Sequence, residues 1–476
     1  MTKRRVVLLW TALLGFALAL RLGLAFGFPN IFFPDEVFQT LEPAHRLAFG
    51  YGVIPWEWRL GVRSWVFPTF LAGIMRSTAW LGVGSKGYLL GVEIALSLLS
   101  LTAVWFGYAW AKRASGNAAA VIAALSCTFY FGLVYFAPKA LSEVVAAHVM
   151  LPGLYLGVYG QKPEERKRLF LAGLLCGLAA CLRVQLLPAL LFAMAYFCYP
   201  RWRRRAPAVA AGAAVPALFF GAADWITWSY PWRSYLGNYM ANVVSGPGKA
   251  LSLTQPWYWY ALVLLVLLGP AILLLFHGAR RSPFLAIFCA IVLVSHSLFA
   301  HKEIRYLYPI LVPAVVLASI GVADLLEEIR GRARILATPR GIAAAGVGVM
   351  LICSALVAAW CADWCKTRWG AAAFDRIGRQ TDLCGVGIHG VIWWESGGYT
   401  HLHRNVPILM VENETALKAE ADSFNALIAP RDASGVPSEF APSQCWSGVC
   451  LFERPGNCTA PREGEELNAY LRRTGL

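Results

Sequence analysis

The sequence predicts an all-α polytopic membrane protein with a small C-terminal, extracytoplasmic α/β domain. The chain of 476 residues is 58% hydrophobic and 14% charged, whereas soluble domains are about a quarter charged. Apolar runs of about 20 residues, the length of a membrane-crossing helix, recur up to Trp360. Beyond Trp360 the composition becomes mixed and polar. We therefore expect a transmembrane domain over residues 1–360 and a second domain over 361–476.

The first apolar run follows Lys3, Arg4 and Arg5 and exceeds the core of a cleavable signal peptide, so we interpret it as a retained span. With it, about eleven crossings are predicted, near residues 6–27, 88–110, 118–136, 140–160, 168–182, 185–200, 206–228, 257–276, 282–300, 304–325 and 340–360. Lys and Arg concentrate in the loops that this threading places inside. The threading puts the N-terminus inside and the C-terminus outside.

The apolar stretch 65–84 is not counted as a crossing. A crossing there would place the later basic loops on the side opposite Lys3 to Arg5. Pro68 and Arg76 also favour a half-buried segment over a helix that faces lipid. We therefore expect residues 28–87 to form a first outer loop in which 65–84 lies along the membrane or dips into it.

The C-terminal region contains two strand-like runs, "GVGIHGVIWW" and "FNALIAP", with turn signals between them. Six cysteines on the oxidising side predict disulfides: Cys361, Cys365, Cys384, Cys445, Cys450 and Cys458. A zinc site formed by Cys361 and Cys365 with His401 and His403 is the less favoured alternative, because the spacings match no standard zinc pattern. The net charge of +15 is attributed to the basic loops and not to nucleic-acid binding.

The dense polar clusters all fall on the predicted outer side, which indicates one functional cavity at the membrane surface. Carboxylates in the stretch after Phe32 could act as a general base. Cationic side chains from separate spans could bind a lipid phosphate, namely Lys139, Arg183, His301, Lys302 and Arg305. Trp56 and Trp58 could stack on sugar faces. This combination suits transfer of a sugar from a lipid-phosphate donor to an alcohol.

The same residues carry a family resemblance. "FPDEVFQTLEPAHRLAFGYGVIPWEW", "FAPKALSE", "CLRVQLL", "LTQPWYWY" and "HKEIRYLYPILVP" occur in the order found in the family 22 mannosyltransferases. The chain resembles the branch of that family that mannosylates GPI precursors. These are membrane enzymes of the GT-C type that use dolichyl-phosphate mannose. Pro55 and Lys139 replace the Thr and Arg that are usual in the family.

The resemblance implies an inverting displacement without metal or cofactor. Asp35 would deprotonate the acceptor hydroxyl, and Glu36 would orient the acceptor or share that role. Arg183, His301, Lys302, Arg305 and Lys139 would bind the donor phosphate. The acceptor or its sugar would contact Gln39, Glu42, Trp56, Glu57, Trp58 and Arg63.

The predicted function is therefore transfer of a hexose from a polyprenyl-phosphate donor to a glycan or glycolipid acceptor, with mannose extrapolated from the family. The compact start of the chain suggests a bacterial inner-membrane protein whose site faces the periplasm; a eukaryotic member would face the lumen of the endoplasmic reticulum. Membrane lipid is an expected partner and nucleic acid is not. The alternatives are a transporter or flippase of a lipid-linked glycan, which would need an opening to the inner side, and a non-enzymatic scaffold.

Overall fold

The computed structural model describes residues 2–31, 33–82, 84–160, 165–244, 254–365, 369–462 and 464–476. It confirms the predicted fold class, since a helical bundle is followed by a small C-terminal sheet. The bundle contains α1 Lys3–Gly27, α2 Glu42–Phe49, α3 Trp56–Arg59, α4 Val66–Thr78, α5 Lys86–Phe129, α6 Phe131–Phe136, α7 Ser142–Tyr159, α8 Glu165–Leu182, α9 Leu187–Cys198, α10 Trp202–Trp228, α11 Arg233–Tyr239, α12 Trp259–Leu268, α13 Leu275–Arg281, α14 Pro283–Ser297, α15 Tyr308–Glu328 and α16 Pro339–Trp360. A π-helical turn, Glu36–Leu41, leads into α2, and a 3₁₀ turn, Ile304–Leu307, leads into α15.

Six helical segments within the described residues are long and apolar enough to cross a membrane. They are α1, α5, α10, Trp259–Arg281, Ile304–Glu328 and α16. The helix α5 contains the predicted span 88–110 and most of the span 118–136. Between them its backbone leaves the helical conformation at Ser115 and Gly116, within one of the basic loops, so α5 consists of two helical segments. The chain is thus a multi-pass membrane protein, while the number of eleven crossings stays a prediction.

The helix α15 forms the centre of the bundle. Every residue from Tyr308 to Asp324 is buried, and the helix packs against α5, α7, α13 and α16. Its contact with α13 is close enough that a Cβ added at Gly278 would lie 2.1 Å from the carbonyl oxygen of Leu317. Such close packing of small residues is typical of membrane helix pairs. The His301–Tyr306 motif lies directly before this buried helix.

The stretch 65–84 contains α4, whose 13 residues correspond to about 20 Å, less than a bilayer core of about 30 Å. Its apolar face, with Phe67, Leu71 and Met75, packs on Leu41 and Ala44. Arg76 donates a hydrogen bond of 2.7 Å to the carbonyl oxygen of Ala48. These contacts fold α4 against α2, and the depth of α4 in the membrane stays a prediction.

The C-terminal sheet has the order β2-β1-β3-β5-β4. Its strands are β1 Val386–His389, β2 Ile408–Val411, β3 Ala426–Pro430, β4 Ala441–Trp446 and β5 Val449–Glu453, and its helices are α17 Trp369–Ile377, α18 Gly398–Leu402, α19 Glu414–Ala419 and α20 Leu467–Thr474. The strands β2, β1 and β3 are parallel, and β5 and β4 add antiparallel to that edge. Parallel strands are usually covered on both faces, and all four residues of β1 are buried.

Disulfides join Cys384 to Cys458 and Cys445 to Cys450, which confirms the prediction for four of the six cysteines. The side chain of Cys365 lies outside the described part of the chain, so its pairing stays a prediction. His403, a member of the alternative zinc site, instead places its Nδ1 3.1 Å from His45 Nε2.

Candidate active site

Asp35 lies at the turn between α1 and the π-helical segment, directly after Pro34. One carboxylate oxygen of Asp35 accepts a hydrogen bond of 2.5 Å from Arg305, and the other accepts one from the Gln39 amide. Gln39 lies one turn further along the same segment and also donates to Glu57 at 3.2 Å. Asp35, the predicted base, is therefore held by Arg305 from a distant part of the chain and by Gln39 from the next helical turn.

Glu36 points away from that cluster. Its carboxylate lies 3.2 Å from Lys139 Nζ, and it also accepts a hydrogen bond of 3.2 Å from the backbone amide of Ala140. Lys139 donates in addition to the carbonyl oxygen of Asn30 at 2.9 Å. The neighbouring acids Asp35 and Glu36 thus have different partners, so the turn separates two polar environments.

Arg305 connects three carboxylates. Its guanidinium lies 2.5 Å from Asp35, 2.6 Å from Glu303 and 3.3 Å from Glu143. Arg183, from the turn between α8 and α9, lies 3.2 Å from the same Glu143. Because the Arg305 side chain is only 3% exposed, these pairs are buried, and losing one partner of such a pair typically costs about 3–5 kcal/mol.

The motif around Glu303 is ordered by hydrogen bonds within itself. His301 Nε2 lies 2.9 Å from Glu303, and the Tyr306 hydroxyl donates to Glu303 at 2.9 Å. Lys302 donates to the carbonyl oxygens of Gln255, at 3.0 Å, and Phe299, so its ammonium fastens the loop. The guanidinium of Arg183 covers the ring of Tyr306 at 4.3 Å from its centre.

Asp35 and Glu303 differ in basicity. Burial raises the pKa of Asp35, and the charge of Arg305 opposes this only in part. Burial acts in the same direction on Glu303, but the charge of Arg305 and the hydrogen bonds from His301 and Arg305 hold its pKa well below the ordinary value. A carboxylate whose pKa is raised accepts a proton more readily, so the geometry favours Asp35 as the proton acceptor.

Beside this cluster opens a cleft, here called the arginine cleft, which encloses about 670 Å³ including its mouth. Its wall contains Gln39, Arg63, Ser142, Arg183 and Gln185. Among the described lining residues the charged ones are Arg63 and Arg183, and in each the buried Nε atom has no hydrogen-bond partner within the described part of the chain. Buried donors without a partner are costly, which indicates space for a bound anion.

The remaining predicted acceptor residues lie around α3. Trp58 is buried, lines the arginine cleft and donates to the Phe38 carbonyl oxygen at 3.3 Å. Glu57 is buried beside Gln39, and burial raises its pKa against the opposing charge of Arg63. Trp56 is half-buried.

Glu42 lies further from the cluster. It accepts hydrogen bonds from the backbone amides of Val53, at 2.7 Å, and Thr400, at 2.5 Å, and it is fully buried. Thr400 belongs to α18, so Glu42 joins the first loop to the C-terminal region. Phe38 and Trp393 add a ring contact at 4.9 Å to the same junction.

A second cleft lies on the Glu36 side of the turn and encloses about 650 Å³ including its mouth. We call it the Glu93 cleft; it is lined by Leu24, Glu36, Glu93, Lys139 and His401 among others. The two clefts share the π-helical segment, since Glu36, Val37 and Leu41 line one and Gln39 and Thr40 line the other.

The sequence placed Glu143, Glu303 and Tyr306 in the polar clusters of the outer side but gave them no role in the site, and it did not single out Glu93. Each is an ionisable side chain at or near the start of an apolar run, which is a recognisable signal. Of the groups that could hold a metal ion, the described residues contain one, His277, Asp324 and Glu328. It lies at the other end of α15 from Arg305, and Asp324 is paired with Arg281 at 2.5 Å.

Comparisons with known proteins identify relatives of this chain. The chain is 27% identical over 335 residues to GPI alpha-1,2-mannosyltransferase 3 of Mus musculus, covering 66% of this chain and 59% of the mouse protein. It is 25% identical over 430 residues to GPI mannosyltransferase 3 of Yarrowia lipolytica, covering 85% of this chain and 80% of that one. The chain thus spans less than two thirds of the mouse relative.

Among solved structures, ArnT from Cupriavidus metallidurans bound to undecaprenyl phosphate has a similar fold, with a TM-score of 0.63 at 14% identity over 97% of this chain and 100% of that one. The profile of the Alg9-like mannosyltransferase family matches residues 12–377, a range that contains Asp35, Arg183 and Arg305. The chain therefore belongs to the Alg9-like mannosyltransferase family.

Proposed function

We propose that this protein transfers a hexose, with mannose as the first candidate, from a polyprenyl-phosphate donor to a hydroxyl of a glycan or glycolipid acceptor. The site faces the non-cytoplasmic side of the membrane, following the distribution of basic loops. The observation that carries the proposal is the position of a basic carboxylate, Asp35, which is bonded to Arg305 and to Gln39, a residue that lines the arginine cleft with Arg63 and Arg183.

The arginine cleft suits the phosphate of the donor. Arg63 and Arg183 present donors without partners, and arginine binds phosphate oxygens through paired hydrogen bonds. Arg63, which the sequence assigned to the acceptor side, lines the same wall as Arg183. The similar fold of a protein solved with undecaprenyl phosphate is the reason for choosing a polyprenyl carrier in the test below.

The chemistry requires one base and one anion site. Asp35 takes the proton of the acceptor hydroxyl as its oxygen attacks the anomeric carbon of the donor sugar. The bond from that carbon to the phosphate oxygen breaks, and the phosphate leaves with the electron pair. Arg183, Arg63 and the hydrogen-bonding groups around them stabilise the charge that develops on the leaving group. Attack from the face opposite the phosphate inverts the anomeric carbon.

The roles of the other predicted donor residues follow from their contacts. Arg305 sets the position and basicity of Asp35 and keeps Glu143 and Glu303 paired. His301 Nε2 lies 2.9 Å from Glu303, and its buried Nδ1 has no hydrogen-bond partner within the described residues, so a contact with a donor oxygen requires that the side chain move and carry a proton on Nδ1. Lys302 supports the loop through carbonyl oxygens, and any contact with phosphate requires that these bonds open.

The decisive experiment is transfer of radiolabelled mannose from synthetic polyprenyl-phosphate mannose by the purified full chain, with the product identified by mass spectrometry. We expect a mannosylated acceptor with inverted anomeric configuration and release of polyprenyl phosphate. Movement of the intact donor across a vesicle membrane without transfer would contradict the proposal and favour a flippase.

A further inference from the structure

The Glu93 cleft contains a carboxylate that the proposed mechanism does not use. Glu93 is the one charged residue between Gly87 and Ala111, an otherwise apolar part of α5. Ionisable groups are costly in such helices and are usually retained for function. The surrounding part of α5 is firmly packed, since Tyr88, Val92 and Leu96 belong to the buried cluster under α4.

The charges of this cleft do not suit an anion. Lys139, its cation, is already paired with Glu36 at 3.2 Å and bonded to the Asn30 carbonyl oxygen at 2.9 Å. Among the described residues, none donates a hydrogen bond to Glu93 or lies within ion-pair distance of it. A half-buried carboxyl group without a partner accepts hydrogen bonds from hydroxyl or ammonium groups, and it repels phosphate.

One wall of the cleft is apolar and comes from two helices. Leu24 and Phe28 lie at the end of α1, and Leu89 and Val92 lie at the start of α5. The helix α1 has only two buried residues, Ala17 and Arg21, so most of its surface is available to lipid. A molecule with an alkyl tail can therefore place its tail along α1 and its polar head beside Glu36 and Glu93.

We propose, on the basis of the proposed function, that the Glu93 cleft holds the acceptor and that Glu93 positions it by accepting hydrogen bonds from its hydroxyl or ammonium hydrogens. His401, which also lines the cleft, adds a side chain from the C-terminal region to the same site. Donor phosphate and acceptor then reach the Asp35–Glu36 turn from the arginine cleft and the Glu93 cleft respectively. Glu93 is a positioning residue and takes no proton in the reaction.

The test compares Glu93→Gln with the wild type and with Lys112→Gln, which removes one charge from an exposed position of the same helix, just before its break at Ser115 and Gly116. Three probes serve as acceptors: decyl mannoside, methyl mannoside, which has no tail, and decyl glucosaminide, which carries an amine. We expect Glu93→Gln to raise the acceptor KM roughly ten- to a hundredfold, as for loss of a hydrogen bond to a charged group. Donor affinity and kcat should stay within about twofold of the wild-type values. Glu93→Asp keeps a carboxylate, so its acceptor KM should lie between those of the wild type and of Glu93→Gln.

The probes separate the two sources of hydrogen-bond donors. A larger Glu93→Gln effect on decyl glucosaminide than on decyl mannoside identifies an ammonium partner, and equal effects identify hydroxyl groups. Methyl mannoside should have a higher KM than decyl mannoside in the wild type. An unchanged acceptor KM in Glu93→Gln, or a weakened donor affinity, would overturn the inference.

A binding measurement keeps this inference separate from the proposed function. In Leu89→Cys, bound decyl mannoside should slow maleimide labelling of the cysteine, and adding Glu93→Gln should abolish the protection. If the wild type shows protection but transfers nothing, the proposed function fails and the acceptor site stands. Labelling that decyl mannoside does not slow would contradict the acceptor site even in an active enzyme.

Discussion

The two clefts beside the Asp35–Glu36 turn both contain a paired cation but differ in which polar groups are left without a hydrogen-bond partner. In the arginine cleft, Arg183 is paired with Glu143, yet its Nε and that of Arg63 have no hydrogen-bond partner among the described residues. In the Glu93 cleft, Lys139 is paired with Glu36 and also donates to the Asn30 carbonyl oxygen, and Glu93 accepts no hydrogen bond from the described residues. The comparison teaches that the presence of a cation does not make an anion site. What matters is whether the cation keeps a donor hydrogen that its own ion pair does not use.

The largest expected effect comes from Asp35→Asn, which keeps the size of the side chain between the two clefts but removes its basic oxygen. Transfer should fall about a hundred- to ten-thousandfold, the usual contribution of a general base. Donor affinity should change little. The matched control is Asp432→Asn, a change at an exposed loop.

A well-folded Asp35→Asn protein with near-normal turnover would eliminate the base role and make Glu36 the next candidate. The pH profile gives a second check. Because burial raises the pKa of Asp35, activity should be lost on acidification at a higher pH than for an ordinary aspartate.

The comparison of Arg183→Ala with Lys139→Ala tests the two clefts directly. The sequence assigned both cations to the donor phosphate. Arg183 lines the arginine cleft and, although it is paired with Glu143, its Nε has no hydrogen-bond partner among the described residues, so its loss should weaken donor binding roughly ten- to a hundredfold. Lys139→Ala should change donor affinity by less than about threefold, because Lys139 is already occupied by Glu36 and Asn30. Equal losses of donor affinity, measured with radiolabelled donor, would contradict the difference between the clefts.

A smaller effect is expected at Glu42, which joins the first loop to the C-terminal region beside the Glu93 cleft. Burial raises the pKa of Glu42 from 4.5 to about 7, against the hydrogen bonds from the Val53 and Thr400 amides. A raised pKa in the folded state means that the folded protein binds more protons than the unfolded chain between these values. The contribution of Glu42 to the free energy of unfolding should therefore decrease as the pH rises from about 4.5 to about 7.

Glu42→Gln should remove that contribution, which thermal unfolding of both proteins at several pH values would measure. His45 and His403 also face this junction, and burial lowers the pKa of both, to about 3 for His45. They contribute in the opposite direction, because the unfolded chain binds their protons more readily than the folded protein does. The quantity to compare is therefore the difference in the free energy of unfolding between the wild type and Glu42→Gln, and a difference that does not change with pH would contradict the raised pKa of Glu42.

The sequence by itself determined the helical fold, the C-terminal sheet and the disulfide-forming cysteines, because apolar run length and composition are local properties. It also identified Asp35, Arg183 and Arg305 as candidates, since charged residues beside apolar spans stand out. The single charge in the first half of α5 can likewise be read from the chain, and the domain boundary at Trp360 stays a prediction.

Only the tertiary structure decided how those charges are paired. Asp35 and Arg305 are 270 residues apart, and Glu36 and Ala140 are 104 apart, so their contacts depend on how α15 and α7 pack and not on any local pattern. Packing also separated Lys139 from Arg183, and it left Glu93 without a hydrogen-bond partner among the described residues. The physical reason is that the energy of a buried charge depends on the few ångströms around it, and the folded chain fills that space with residues from distant segments.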